Sequence, residues 1–220
     1  MKTLKFAVVL AALPLAAGAQ DPLKVDAGHY KLLVDNASVR ILKVSYAPGA
    51  KSAMHSHPDA MLVPLGPAKV RFSLPDGKTQ DMEVAKEIAA YTPAATHNPA
   101  NVGTTPVDAI LVEFKAQAPG TATLPTARPG LQTATLVENP RAVAIRTTAA
   151  PDFHEPAGSV HEYDQVVIAL GEAGMSLALD GQPAKTKWQR GEVQFIPRGV
   201  KHESKNTGGK PVDFIIVAIR

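Results

Sequence analysis

The chain has seven histidines and no cysteine, so any metal ligation or proton transfer it performs rests on imidazole rather than thiolate. Six of the seven fall in two regions, with His29 the exception. His55-Ser56-His57 sets two imidazoles on one face of a strand, because side chains alternate with period two. His97 follows forty residues later, after Pro93, at the start of a turn or strand. If the fold brings it beside the pair, three convergent imidazoles form a divalent-metal site. His154, His161 and His202 make a sparser second set. Asp59 and Glu87 are the nearest carboxylates for acid or base work, and Arg71 is a candidate partner for an anionic ligand. Trp188, Tyr91 and Tyr163 are candidates for a pocket wall. Ordinary packing or surface roles explain each of these last six equally well.

Positioning such residues falls to a duplicated β unit. At an offset of 105, Leu65-Gly66 matches Leu170-Gly171, His97 matches His202, Asn101 matches Asn206, and Pro106-Val107-Asp108 matches Pro211-Val212-Asp213. Upstream the offset is 103, pairing Asn36 with Asn139 and Ala47-Pro48 with Ala150-Pro151. Self-similarity of this length is a tandem duplication. Within each copy the pattern predicts strands, among them 39–46, 69–74, 107–114, 166–170, 175–179, 193–196 and 214–219, separated by turn residues. Asp76-Gly77 and Asp180-Gly181 are hairpin turns at corresponding places. Asn101 and Asn206 read as turn caps. No amphipathic helix of useful length is evident, so the class is all-β, as two sandwiches or jelly rolls. Between the copies, Pro119, Gly120, Pro125, Pro129 and Gly130 lie among Ala and Thr. The segment 116–134 is therefore expected to be a linker between barrels at 20–115 and 135–220.

Composition narrows the function classes. A hydrophobic share of 45% with 20% charged residues excludes disorder as the main state of the 220-residue chain, and the missing cysteine excludes a disulfide scaffold. Lys2 and Lys5 precede an apolar run, Phe6 to Ala19, that ends in Ala17-Gly18-Ala19. That run is too short to span a bilayer and reads as a signal peptide, residues 1–19. Export to a periplasm or the extracellular medium is expected, with no membrane anchor. Cleavage would take two of the basic residues that make up the formal charge of +3. No cluster of five Lys or Arg exists, so nucleic acid is not an expected partner.

The residues resemble one family in particular. Gly49, His55-x-His57 and the strand ending at Leu65-Gly66 resemble the first motif of the cupin superfamily. Gly191, Pro197-x-Gly199, His202 and Asn206 match its second motif, and Pro93, His97 and Asn101 form the first copy's shorter version. The resemblance spans about 35–115 and 138–220, and so implies a bicupin of two double-stranded β-helix, or jelly-roll, barrels. It further implies one metal per barrel, held by two His and a carboxylate from the first motif and one His from the second. Carried over, copy one supplies His55, His57 and His97, with Met61 at the carboxylate position as a weak, soft fourth ligand. Copy two supplies His161, Gln165 and His202, with Ser159 in place of a first-motif His, a degenerate set in which His154 is a poor substitute.

The implied cofactor is one divalent transition metal, with iron, manganese, nickel, copper and zinc all open. The implied partner is a small organic ligand or substrate, and barrels of this kind pair through edge strands into homodimers. Dioxygenase, decarboxylase and isomerase chemistry are all compatible, as is a non-catalytic binding module or a structural bicupin with empty barrels. A decarboxylase needing two full metal sites is disfavoured by Met61 and Ser159.

Overall fold

The computed structural model describes residues 20–115 and 128–220. The expected signal peptide and residues 116–127 of the expected linker lie outside the described residues. Among the described residues one short helix, α1 (Pro22–Val25), precedes seventeen strands. The first half contains β1 (Tyr30–Asp35), β2 (Val39–Tyr46), β3 (His55–His57), β4 (Ala60–Pro64), β5 (Ala68–Ser73), β6 (Thr79–Val84), β7 (Ala90–Thr92), β8 (Ala95–Asn101) and β9 (Val107–Phe114). The second half contains β10 (Leu131–Glu138), β11 (Ala142–Ala149), β12 (His154–Ser159), β13 (Asp164–Ala169), β14 (Met175–Leu179), β15 (Val193–Ile196), β16 (His202–Asn206) and β17 (Val212–Ile219). β10 begins at Leu131, so the last residues expected as linker already pair with β11.

Each half closes two antiparallel sheets into a barrel, and the halves repeat one another. The large sheets run β1-β2-β9-β4-β7 and β10-β11-β17-β13-β15. The small sheets run β3-β8-β5-β6 and β12-β16-β14. Even the irregularities recur: a bulge lies between Leu32 and Val34 in β1 and between Thr135 and Val137 in β10. Bulges bend a strand and fix its register, so their repetition marks the same barrel corner in both copies. The Asn pairs recur too. Asn101 Nδ2 donates to the Tyr46 and Thr105 carbonyls, and Asn206 Nδ2 donates to Ala149 and Lys210 at the matching positions.

The large sheets pack on each other through their outer faces. Val39, Ile41, Met61, Val63, Ile110 and Val112 from the first barrel share one core with Ala142, Ala144, Val166, Ile168, Ile215 and Val217 from the second. Most strands of these sheets are therefore buried on both faces and read as continuous apolar runs, such as Ile110-Leu111-Val112. Polar contacts across the interface follow an approximate two-fold axis. Ser38 Oγ donates to Asp164 at 2.7 Å, while Arg141, the counterpart of Ser38, lies 3.5 Å from Asp59, the counterpart of Asp164.

Candidate metal centre

In the first barrel the small sheet brings the three expected histidines together. β3 pairs antiparallel with β8 so that His55 faces His97, and the pleat places His57 on the same inner side. One ring nitrogen of each lies within 4.8 Å of the others. His55 is fully buried and His57 nearly so.

Partners fix which nitrogen of the His55 and His57 rings carries the proton. The Nδ1 of His55 lies 2.9 Å from the Ala53 carbonyl, which can only accept, so Nδ1 donates. The Nδ1 of His57 lies 2.5 Å from a Glu113 carboxylate oxygen and donates in the same way. In the neutral rings both Nε2 atoms are therefore lone pairs, and they face each other at 3.0 Å. Tyr30 directs its hydroxyl at the Nε2 of His55 from 3.0 Å. Glu113 is 1% exposed and also accepts from Arg40 Nε at 2.5 Å, with Asp21 on the far side of the guanidinium. Burial, then the neighbouring imidazoles, push His97 down to about 3, and burial lowers His55. In the neutral rings the two Nε2 lone pairs converge beside His97, an arrangement that suits a cation, so the residues present fit a divalent metal.

The cluster opens into a cavity of about 380 Å³. Its wall includes Leu62, Val70, Phe72, Leu74, Val84 and Leu111, and among the described residues no lysine or arginine lines it. Met82 and Tyr91 line it as well and are each more than a third exposed, which gives its mouth an apolar edge. Its one carboxylate, Asp108, lies 3.2 Å from Arg190.

The second barrel holds a smaller group. Glu155 on β12, His161 and His202 on β16 bring one ligand atom each within 4.8 Å of the others. Arg128 pairs with the Glu155 carboxylate and places Nη2 3.2 Å from the Nδ1 of His161. Burial, then Arg128 and His202, push His161 down to about 4, and burial lowers His202. The adjoining cavity is only about 80 Å³ and is lined by Trp188, Phe153, Phe214, Leu177 and the unpartnered Gln165 amide nitrogen.

Strand phase corrects one expected ligand, Met61, and the counterpart assumed for another, Gln165. Met61 is fully buried in the core between the barrels, on the face of β4 opposite the imidazoles. Gln165 does line the second cavity, but it is no counterpart of Met61. It pairs with Ala218 as Ala60 pairs with Glu113, so its match is Ala60 and the carboxylate of the second cluster comes from Glu155 instead. The offset is 104 at the ligand strands, where Ser159 faces His202 as His55 faces His97, and 105 one strand later. A one-residue slip reverses every side chain on the strand.

The remaining candidates are placed elsewhere. His154 is exposed and pairs with Glu203. Glu87 pairs with Arg146, and Arg71 with Asp81 on the surface. Tyr163 stacks on His161, and Trp188 packs against Phe214 in the second barrel. Sequence reading missed Tyr30, Arg40, Glu113, Glu155 and Arg128. A signal existed for Glu113, the lone acid inside the apolar run of β9, whose counterpart in β17 is Ala218.

No protein-family model matches the sequence, and no curated protein does either. Solved structures do match. AerE from Microcystis aeruginosa superposes with a TM-score of 0.63 at 13% identity, covering 87% of this chain and 97% of that one. A cupin 2 conserved barrel domain protein from Leptotrichia buccalis gives 0.56 at 13% identity over 87% and 88% of the two chains. A variant of the salicylate 1,2-dioxygenase from Pseudoaminobacter salicylatoxidans gives 0.61 at 12% identity over 83% and 71%. At such identities the likeness is one of fold, and together with the repeated sheet order it gives the conclusion: this chain carries the cupin fold twice in tandem.

Proposed function

We propose that the first barrel is a metal centre that acts on a small, largely apolar organic molecule. The observation that carries this reading is the pair of Nε2 lone pairs held 3.0 Å apart by carbonyl and carboxylate partners on the opposite ring nitrogens, with His97 beside them. A divalent ion held by His55, His57 and His97 would supply Lewis acidity or oxygen activation. The chain's own residues do the rest. Glu113 and Arg40 hold the His57 ring, the Ala53 carbonyl holds His55, and the apolar wall excludes water and seats the ligand body. Among the described wall residues none is a lysine or arginine, so of these groups only the ion itself would offer an anionic group a counter-charge.

A salicylate dioxygenase among the structural neighbours supports this class of chemistry, and dioxygenation, decarboxylation and isomerisation all belong to it. Binding without turnover is the second reading. It is favoured by the one carboxylate among the described wall residues, Asp108, being ion-paired to Arg190. The basic and apolar start of the sequence supports export to a periplasm or the medium as the setting for either.

Elemental analysis of the purified protein beside His57→Ala is the test. About one ion per chain, lost in the variant, supports the centre. Absence of metal after reconstitution with iron, manganese, nickel, copper and zinc in turn refutes it. Oxygen consumption with small phenolic and carboxylic compounds then separates turnover from binding.

A further inference from the structure

We propose that Arg128 is the resident cation of the second barrel, seated in a latent metal site built from Glu155, His161 and His202. Two imidazoles and one carboxylate with their ligand atoms within 4.8 Å form a ligand set that takes iron(II) or zinc. In this chain a guanidinium fills that role: one amino group pairs with Glu155 and the other reaches His161. A divalent ion arriving there meets a fixed positive charge and a carboxylate already neutralised, so the site rejects it.

Arg128 is held in this position by the backbone. Leu131 N donates to the Arg128 carbonyl at 3.0 Å across Pro129-Gly130, with Gly130 at a positive φ of 72°. Proline followed by a glycine of positive φ at the centre of a turn is the type II arrangement. Gly130 O in turn accepts from Ala150 N at 2.7 Å, and a side chain at Gly130 would meet the Phe153 backbone at 3.1 Å. The turn that enters β10 is therefore clamped against the mouth of the second barrel, and Arg128 points inward from it.

Two further groups show that the pocket suits a cation. His202 has acceptors at both ring nitrogens, the Val200 carbonyl at 3.2 Å from Nδ1 and Glu155 at 3.3 Å from Nε2. A neutral ring can donate to only one of them, so a positive centre between Nε2 and the carboxylate resolves the mismatch. Ser204 Oγ donates to the same Glu155 oxygen at 3.1 Å, orienting the carboxylate as the second sphere of a metal site does. The first barrel offers the contrast, since among the described residues no arginine or lysine lines its cavity.

The experiment is metal stoichiometry in chains that differ only in the two barrels, loaded with zinc or iron(II) and freed of excess ion. Arg128→Met removes the charge at similar length, and Arg128→Gln is the second variant, retaining a donor for Glu155 should the methionine form fold poorly. In a His57→Ala, His97→Ala background, which silences the first barrel, Arg128→Met or Arg128→Gln is expected to bind about one ion per chain. The same background with Arg128 intact binds none, and adding Glu155→Gln abolishes the gain. Thermal melting is expected to shift upward with zinc only in the Arg128 variants. No gain in either Arg128 variant overturns the proposal, and so does stoichiometric metal in the second barrel with Arg128 in place. Because the first barrel is silent throughout, neither outcome depends on whether it holds a metal.

Discussion

Glu113 is the residue on which the first barrel's cluster depends most, and Glu113→Gln isolates its charge. The carboxylate accepts from His57 Nδ1 and Arg40 Nε, both at 2.5 Å, in a place 1% exposed to solvent. An amide of the same shape has one acceptor oxygen for two donors, so its NH₂ must face one of them. Losing one buried charge-assisted bond costs about 2 kcal/mol, within the range for hydrogen bonds to charged groups. For a chain of this size that is a fall in melting temperature of roughly 4–8 °C. The His57 ring also loses the partner that fixes its tautomer, and outer-sphere losses of this kind lower metal affinity about 10- to 100-fold. Chelator competition with zinc, read beside thermal melts and far-ultraviolet circular dichroism, measures both effects. A folded Glu113→Gln protein with zinc affinity within two-fold of the parent would refute the view that this carboxylate sets the His57 tautomer.

Other outcomes follow from the same geometry. Met61→Leu should leave zinc affinity unchanged, while Met61→Ala should cost about 2–5 kcal/mol in urea unfolding, because the side chain fills the core between the barrels. A drop in metal affinity for Met61→Leu would restore it as a ligand. In the metal-free protein His97 titrates at about 3 when folded and near its ordinary 6.5 when unfolded. The unfolded chain therefore takes up the proton first, and stability falls as pH drops through 6.5 and keeps falling toward 3. At pH 5 the loss from this residue is about 2 kcal/mol. Urea melts of the parent and of His97→Gln between pH 7.5 and 5 test this, and equal pH slopes for the two proteins would contradict it.

The strand pattern was largely legible because β-branched runs between turn residues carry their own signal. The expected bounds of β2, β9, β14 and β15 coincide with those observed. Among the strands missed, β1, β6, β10 and β12 are exposed along much of their length and lack an apolar face to read, while β11 is buried and was missed all the same. The His triad was legible because its spacing is local and its motif repeats. Met61 misled, and Gln165 was given the wrong counterpart, because the offset between copies changes by one residue just before β4 and β13, and only strand pairing shows on which side that residue falls. Glu155 and Arg128 were hidden for another reason. The bulged pairing between β12 and β16 brings Glu155 inward, and a tertiary turn delivers Arg128 from what looked like linker.

The packing of the two large sheets has a consequence for how much the two halves can differ. In a two-fold dimer of single barrels every substitution appears twice, so each site must be the same in both subunits. Joining the halves in one chain keeps the buried interface and the paired Ser38–Asp164 and Arg141–Asp59 contacts while removing that constraint. Glu113 in one half can then face a cluster of imidazoles while Ala218 holds the same place in the other. A covalent tether also replaces the concentration dependence of assembly with a fixed, high effective concentration of each barrel for its neighbour. The two halves can therefore carry different clusters, three imidazoles in one and two imidazoles with a carboxylate in the other.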